Sequence, residues 1–415
     1  MNKLKNVTPE TLLKQIKKIK WYFYIEKIIN LLNAKKYRFY FVGGIIRDVI
    51  FALIKYRKLE DVKDVDIVVE IENYESLLEI IKSINFETQV TIKPYPSFLT
   101  LSVFIDEKYR IDLSLPRKEY YPKPASLPVV EKGTIYDDFY RRDFTINAIG
   151  LRYDPSSSYI LFDPFNGLND ILHKKIRVLH EKSFIDDPTR IIRAIRFAAT
   201  FKFKLENNTE EYLKEAIDKR VLGLVSTTRL ASEFINILYK GENLNIVVKL
   251  FKKYKIVDYY NFIRKIIENF MSNYKKLELK KLSFSDENKY YIRLLFLLEK
   301  VCGEIKPFET KVNEFKNCMV LLNIPHKKRE QIYKSIEIFS GKGKKIDTPI
   351  WVKYYSKFFK KKIPVLKFKP SELIKYGVPN EKLDALAKYL YLNKINKINK
   401  SKIKVILKKI RNCTS

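Results

Sequence analysis

Cysteine is almost missing from this 415-residue chain: Cys302, Cys318 and Cys413 stand far apart, share no metal-ligand spacing and form no even-numbered set. A disulfide framework is therefore not expected, nor a thiolate-held zinc site, and a reducing compartment fits. Long apolar runs are missing too. Without a stretch of about eighteen uncharged apolar residues, no membrane-spanning helix is expected, and the opening "MNKLKNVTPETLLKQIKK" has no apolar core of a secretion signal. The expectation is a soluble cytoplasmic protein with no membrane partner. The common glycine-rich nucleotide motifs are also lacking, since neither a P-loop with its Gly-Lys-Ser/Thr nor a dinucleotide fingerprint occurs. Acidic charge falls short: 48 acids face 81 bases, a formal net charge of +33. The excess points to a polyanionic partner, nucleic acid first; lysine inflated by an AT-rich genome is the plainer alternative.

What is present can build a large interior. With 46% apolar residues over this length, two to four domains are expected. The first 150 or so residues mix strand-like runs, "YRFYFVGG", "VDIVVEI", "SFLTLSVFI" and "YRIDLSL", with a helical crossover at "NYESLLEIIKSI", as an α/β arrangement does. After the turn-rich "LRYDPSSSY" come two short strands, "YILFD" and "KIRVL", around the turn "PFNG". From "DDPTRIIRAIRFAATF" onward the pattern is helical, with a break at 339–348 where Gly, Ser and Lys crowd together.

Four constellations could carry chemistry. Gly43 and Gly44 follow a strand and open a helix, where bare backbone N–H groups and the helix dipole suit a phosphate; a tight turn is the plainer alternative. Arg47 on the first turn would add a guanidinium fork for the same anion. In "KDVDIVVE", Asp64 and Asp66 leave one face of a strand while Val65, Ile67 and Val69 line the other. Such a pair is either a solvated edge or a ligand set for paired Mg²⁺ ions, with Asp112 of "RIDLS" as a third acid. The neighbouring Gly-Gly and Arg favour the metal reading. In "YRRDFTINAIG", Arg142 could hold a triphosphate while Asp143 and Asn147 read ribose hydroxyls; an ion pair with a helix-capping Asn explains them equally well. Asp187 before Pro188 reads as a helix N-cap, and Arg190, Arg193 and Arg196 recur every third residue opposite Ile191, Ile192, Ile195, Ala198 and Ala199. That ladder is either a solvated basic face or a site for anions.

In chain order, "GGIIRD", "DVD", "RRDFTINA", "DPFNG" and "DDPTRIIRAIRFA" resemble the class II nucleotidyltransferases, the bacterial tRNA nucleotidyltransferase and poly(A) polymerase family. The likeness is dense from about residue 37 to 206, and "RKEYYPKPASLPVVEKGTIYDDFYRRDFTINAI" is similar to the branch holding both CCA-adding and A-adding enzymes. The resemblance implies an α+β protein: a polymerase-beta-like nucleotidyltransferase head at 1–150, a neck with the base-reading helix at 151–235, a helical body at 236–340 and a basic helical tail at 341–415. It implies a two-metal Mg²⁺ site on Asp64 and Asp66, with Asp112 as a further catalytic acid. Gly43, Gly44, Arg47, Arg142, Asp143, Asn147, Asp187, Arg190, Arg193 and Arg196 are then the nucleotide-binding set. The implied activity is template-independent addition of CCA, or its terminal A, to the tRNA 3′ end (acceptor arm), with ATP as substrate and CTP as a second. The alternatives are a poly(A) polymerase, a CC-adding enzyme, or a silent RNA-binding module.

The implied base readers make physical sense. Cytosine and adenine both present an amine beside a ring-nitrogen acceptor, so Asp187 can accept and Arg190 donate, while uracil and guanine would leave polar groups unpaired. Where many CCA-adding members have Glu-Asp, this chain has Asp186-Asp187, which leaves the nucleotide choice open. "TTRLASEFINIL", with Arg229 and Glu233 at helical spacing, resembles a motif that buttresses the neck, or is a surface i,i+4 pair. In the tail, Lys353, Lys357, Lys360, Lys361 and Lys362 alternate with aromatic residues, a pattern suited to RNA phosphates and bases.

Overall fold

The computed structural model describes residues 6–339, apart from 56–58, 60–61, 107, 157, 262–263, 278–285, 303–311, 323 and 325, together with scattered positions from 352 to 406. The five tail lysines Lys353, Lys357, Lys360, Lys361 and Lys362 lie outside the described residues. In chain order the elements begin α1 (Pro9–Ile16), α2 (Tyr22–Ala34), β1 (Arg38–Val42), α3 (Gly44–Ile54), β2 (Asp64–Glu70), α4 (Tyr74–Lys82), β3 (Val90–Tyr95), β4 (Thr100–Ile105) and β5 (Tyr109–Ser114). They continue β6 (Arg117–Tyr120), β7 (Val129–Lys132), α5 (Ile135–Tyr140), β8 (Gly150–Asp154), β9 (Ser158–Phe162), α6 (Gly167–Leu172), β10 (Lys175–Ile176), α7 (Ser183–Asp186), α8 (Thr189–Phe201), β11 (Lys204–Leu205) and α9 (Asn207–Asp218). The rest is helical: α10 (Thr227–Lys240), α11 (Leu244–Lys253), α12 (Arg264–Leu277), α13 (Asp286–Cys302), α14 (Val312–Leu321) and α15 (His326–Phe339).

The chain forms two compact units, one of residues 1–229 with 245–259, the other of residues 230–244 with 260–415. The first holds a mixed seven-stranded sheet ordered β3-β4-β5-β2-β1-β8-β9. Only β2 and β5 run parallel in it; the other neighbours are antiparallel. The α+β class expected from the sequence is observed. Because β8 begins at Gly150 and β9 closes the sheet at Phe162, a division at residue 150 cuts through the sheet, and we propose that the head extends to Phe162. Alternation along "YRIDLSL" and "SFLTLSVFI" yields the expected strands. "KIRVL" instead supplies only the short β10, paired with β11, and an isolated bridge from Val178 to Phe144.

Burial follows the strand period. On one face Tyr40, Val42, Val68 and Ala148 pack with Ile135 and Phe139 of α5. On the other, Phe39, Phe41, Val65, Ile67 and Val69 are buried, and α3 packs against β1 and β2. Local signals set the helix starts: Thr134 and Asp137 close a reciprocal cap on α5, and Asn73 caps α4. In the second unit Phe234 packs against Tyr260 and Phe270. There the buried Arg293 donates to the carbonyls of Leu277, Leu238 and Tyr239 at 2.9, 2.8 and 3.1 Å, which satisfies orphan acceptors at helix ends.

The "DPFNG" turn fixes the segment that will matter most. Asp163 accepts from the backbone N–H groups of Gly167 and Leu168 at 2.7 and 2.9 Å, and α6 then lies so near residues 145–149 that a Cβ on Gly167 would stand 2.2 Å from the Thr145 carbonyl oxygen and 2.8 Å from Ile149 Cγ1. Backbone cannot yield as a side chain can. Gly167→Ala is therefore expected to destabilise the first unit by about 3 kcal/mol, read as a lowered midpoint of urea unfolding; an unchanged midpoint would show that α6 moves freely away from Thr145.

Candidate active site

Strand register assembles the acids. Asp66 lies opposite Asp112 across the parallel β2–β5 pair and opposite Val42 across β1, while Asp64 faces Arg110. Cross-strand partners share a sheet face, so these polar side chains stand with Val42 on the α5 side. Gly43 follows at once with φ +73°, a conformation glycine adopts without steric cost. A Cβ there would lie 3.1 Å from Asp66 Oδ2 and 3.2 Å from Arg142 Nη1. The bare backbone thus lets the β1–α3 bend press against an acid and a guanidinium at once. Gly44, whose added Cβ would meet only Arg47 Nη2 at 3.5 Å, opens α3.

Crowded acids hold their protons more tightly. Asp66 is pushed up to about 6 by desolvation, with Asp112 and Asp64 adding to the rise and Arg142 and Arg110 opposing it. Asp64 is also raised, by desolvation first, while Arg110 opposes. Arg110 Nε stands 3.3 Å from Asp64 Oδ1 and 3.3 Å from Asp112 Oδ2. Asp112 Oδ1 accepts from the Ser102 hydroxyl at 2.5 Å. Among the described residues no three His, Cys, Asp or Glu side chains are grouped as a finished cation cage. The donor chemistry nonetheless fits a hard divalent ion, since adjacent carboxylates of raised proton affinity are what such an ion relieves.

Arginines surround the acids in two networks. In the first, fully buried Asp138 accepts from Arg141 Nη2 at 2.7 Å and from Arg142 Nη2 at 2.9 Å, and Arg141 also pairs with Glu119 at 3.0 Å. Burial raises the affinity of Asp138 for a proton, but the two arginines outweigh it and hold the carboxyl below its usual value. In the second, Arg47 Nη1 donates to Asn147 Oδ1 at 2.5 Å, Asn147 Nδ2 donates to Asp143 Oδ1 at 2.8 Å, and Arg193 Nε donates to Asp143 Oδ2 at 2.9 Å. Asp143 is held down to about 2: burial works against the charge, and Arg193 and the Asn147 amide overcome it. Both Asp143 and Asn147 are thus engaged with protein side chains, and Asn147 bridges Arg47 to Asp143 rather than capping a helix. The guanidinium groups of Arg47, Arg193 and Arg196 lie 5.2, 5.7 and 4.5 Å from the Phe197 ring centroid.

The ladder on α8 is not a solvated face. Arg190 is buried; its Nη1 donates to Ser183 Oγ at 2.6 Å and its Nη2 to the Arg141 carbonyl at 2.7 Å. Each of those nitrogens carries a second hydrogen, so donors remain. The N-cap expected at Asp187 is shifted by one residue, because α8 starts at Thr189 and Pro188 is its cap; Asp187 Oδ1 nevertheless accepts from the Thr189 N–H at 3.1 Å and from its hydroxyl at 2.7 Å. Arg229 reaches Asp187 Oδ1 at 2.7 Å and the Ala125 carbonyl at 2.9 Å, the buttress of the two readings given for it. Sequence reasoning missed Arg110, Ser102, Glu119, Asp138 and Phe197. The signals for Phe197 and Asp138 were legible, an aromatic ring beside the arginine ladder and an acid three and four residues before Arg141 and Arg142; nothing local marks Ser102 or Glu119, or the pairing of Arg110 with Asp64.

Residues 39–177 match the family described as the Poly A polymerase head domain. The chain is 31% identical over 379 residues to an A-adding tRNA nucleotidyltransferase of Aquifex aeolicus, an alignment that covers 90% of this chain and 41% of that protein. A second A-adding tRNA nucleotidyltransferase, of Geobacter sulfurreducens, is 31% identical over 211 residues, 51% of this chain and 23% of its own length. The chain thus spans well under half of these relatives. The solved apo form II of a CCA-adding enzyme is similar with a TM-score of 0.57 at 25% identity, over 98% of both chains.

The raised Asp66 has a consequence for stability. Between its ordinary value of 3.8 and about 6, the folded state keeps a proton that the unfolded chain has released, so its contribution falls as pH rises through that window. In chelator-treated buffer, Asp66→Asn is expected to exceed the parent in stability by about 3 kcal/mol at pH 7, with the gap closing below pH 4. Urea unfolding of both proteins across pH 3.5–7.5 checks this, and a gap that stays constant with pH would contradict it.

Proposed function

We propose that this chain, whose residues 39–177 belong to the Poly A polymerase head-domain family, is a template-independent tRNA 3′-terminal nucleotidyltransferase. It adds the terminal A or the whole CCA, using ATP and, in the second case, CTP. The observation that carries the reading is the acid block of Asp64, Asp66 and Asp112 set beside the glycine bend and Arg142. The names of the similar proteins support it, and both kinds of activity are represented among them.

Asp64 and Asp66 would hold Mg²⁺, which when bound acidifies the RNA hydroxyl and neutralises the leaving pyrophosphate. The N–H groups at the start of α3 face the triphosphate, where the helix dipole favours its charge. Arg142, oriented by Asp138, and Arg47, oriented by Asn147, hold phosphate oxygens. The 3′-hydroxyl oxygen bonds to the α-phosphorus as the bond to the β-phosphate oxygen breaks, and Asp112 is the acid left to take the hydroxyl proton. Asp187 uses its Oδ2 for the amine of adenine or cytosine while Arg190 donates to the ring nitrogen. Asp143 and Asn147 act by keeping Arg47 and Arg193 in place. The positive charge of +33 and the tail lysines Lys353, Lys357, Lys360, Lys361 and Lys362 suit the tRNA acceptor arm. No described helix is long and apolar enough to cross a membrane, and a cytoplasmic site of action is part of this reading.

The test uses the full chain, Mg²⁺, and tRNA transcripts ending at the discriminator base or after CC, beside an unrelated RNA, each with CTP or ATP. One A on the CC-ending transcript and nothing on the shorter one marks an A-adding enzyme; CTP incorporation on the shorter transcript marks a CCA- or CC-adding one. Long A tracts on unrelated RNA would instead identify a poly(A) polymerase. Asp64→Ala or Asp66→Ala is expected to lower incorporation by about 10³-fold or more. Activity untouched by either change would remove the acid block from the reaction.

A further inference from the structure

Arg110 is the charged residue of the acid block that the reaction above leaves without a task. It faces Asp64 across β2–β5 and precedes Asp112 by two positions, so Asp64, Asp66, Arg110 and Asp112 form a two-by-two block on one sheet face. Its Nε approaches Asp64 and Asp112 equally, at 3.3 Å, yet this buried N–H completes a hydrogen bond to no acceptor. The attraction is thus Coulombic, without the directional bond that would anchor it. The side chain as a whole is 41% exposed, which gives the guanidinium a way out toward solvent. By contrast Arg142, which stands beside the block next to Gly43, has its Nη2 hydrogen-bonded to buried Asp138 at 2.9 Å, an anchor in addition to its attraction to the acids.

We propose that Arg110 is a resident counter-cation, seated between Asp64 and Asp112 until an incoming divalent ion displaces it. The inference rests on reading Asp64 and Asp66 as cation ligands. Without a cation the guanidinium offsets the repulsion among the acids and keeps both strands paired. With one, it is repelled by the new charge and swings outward. Arg110 therefore weakens metal binding while protecting the metal-free fold, and it acts through the acids rather than on the reacting atoms.

The experiment titrates Mn²⁺ alone into the full chain without nucleotide and reads free Mn²⁺ by electron paramagnetic resonance. Arg110→Gln is expected to bind Mn²⁺ at least about fivefold more tightly than the parent, as removal of a neighbouring like charge requires, while Arg110→Lys, which keeps the charge, stays within about twofold of it. In chelator the Gln variant melts below the parent, and saturating Mn²⁺ closes that difference. Arg110→Met, which keeps the aliphatic stem, provides the same comparison if the amide does not fold. Affinity that is equal or weaker in the neutral variants overturns the proposal. Asp66→Asn separates the two readings: if it abolishes Mn²⁺ binding while Arg110→Gln leaves affinity unchanged, only the counter-cation falls; if Asp66→Asn also changes nothing, the acids are not the ligands and both fall.

Discussion

The parallel pairing of β2 with β5 is the constraint from which the site follows. It sets Asp66 beside Asp112 and Asp64 beside Arg110, an arrangement that a shift of one residue would dissolve by turning every side chain to the opposite face. Like charges on neighbouring strands push the register apart. The far face resists that push, because Val65, Ile67 and Val69 are at most 1% exposed and a slip would bring all of them out of the core. One strand therefore does two opposed things, with apolar burial on one side holding in place the repulsion on the other.

Arginine does the remaining work, and its many donors explain why. Each guanidinium can meet a protein acceptor with one edge and keep another edge for an anion. Arg142 and Arg141 share buried Asp138; Arg193 reaches back from α8 to Asp143, and Asp143 steadies the amide that steadies Arg47. The Phe197 ring lies beneath Arg47, Arg193 and Arg196, in the geometry where an aromatic face attracts positive charge. The head and the ladder helix are thereby connected through side chains, and two of these arginines, Arg142 and Arg47, also border the glycine bend.

Much of this was legible in the residues, and for identifiable reasons. Period-two alternation in "DVDIVVE" showed both which face is buried and that Asp64 and Asp66 emerge together; Gly-Gly between a strand and a helix marked a bare bend, and Gly43 turns there with positive φ. Register was not legible, because nothing in "RIDLS" says which strand it will join or in which direction, and so Arg110 passed unnoticed beside Asp112. The same limit hid Glu119, whose role exists only once β6 brings it to Arg141; Asp138, three residues before Arg141, was within reach of helical spacing. For Asp143 and Asn147, read either as ribose contacts or as an ion pair with a capping Asn, the partners were not legible: both carboxylate oxygens of Asp143 carry donors, and Asn147 joins it to Arg47.

Asp187 and Arg190, the pair proposed to read the base, show why motif letters alone do not settle nucleotide choice. Asp187 keeps one orientation because Oδ1 is engaged by Thr189 and by Arg229, and Arg229 also grips the Ala125 carbonyl in the loop between β6 and β7. Arg190 in turn is aimed by Ser183 and by the Arg141 backbone. A hydrogen-bonding site selects by leaving the wrong partner unpaired, so a tilt of either side chain changes which base edge fits. Aim therefore depends on residues 125, 141, 183 and 229, far apart in sequence, at least as much as on the acid and the arginine themselves. On the proposed reading, two enzymes with the same Asp and Arg but a different frame would differ in whether cytosine is accepted.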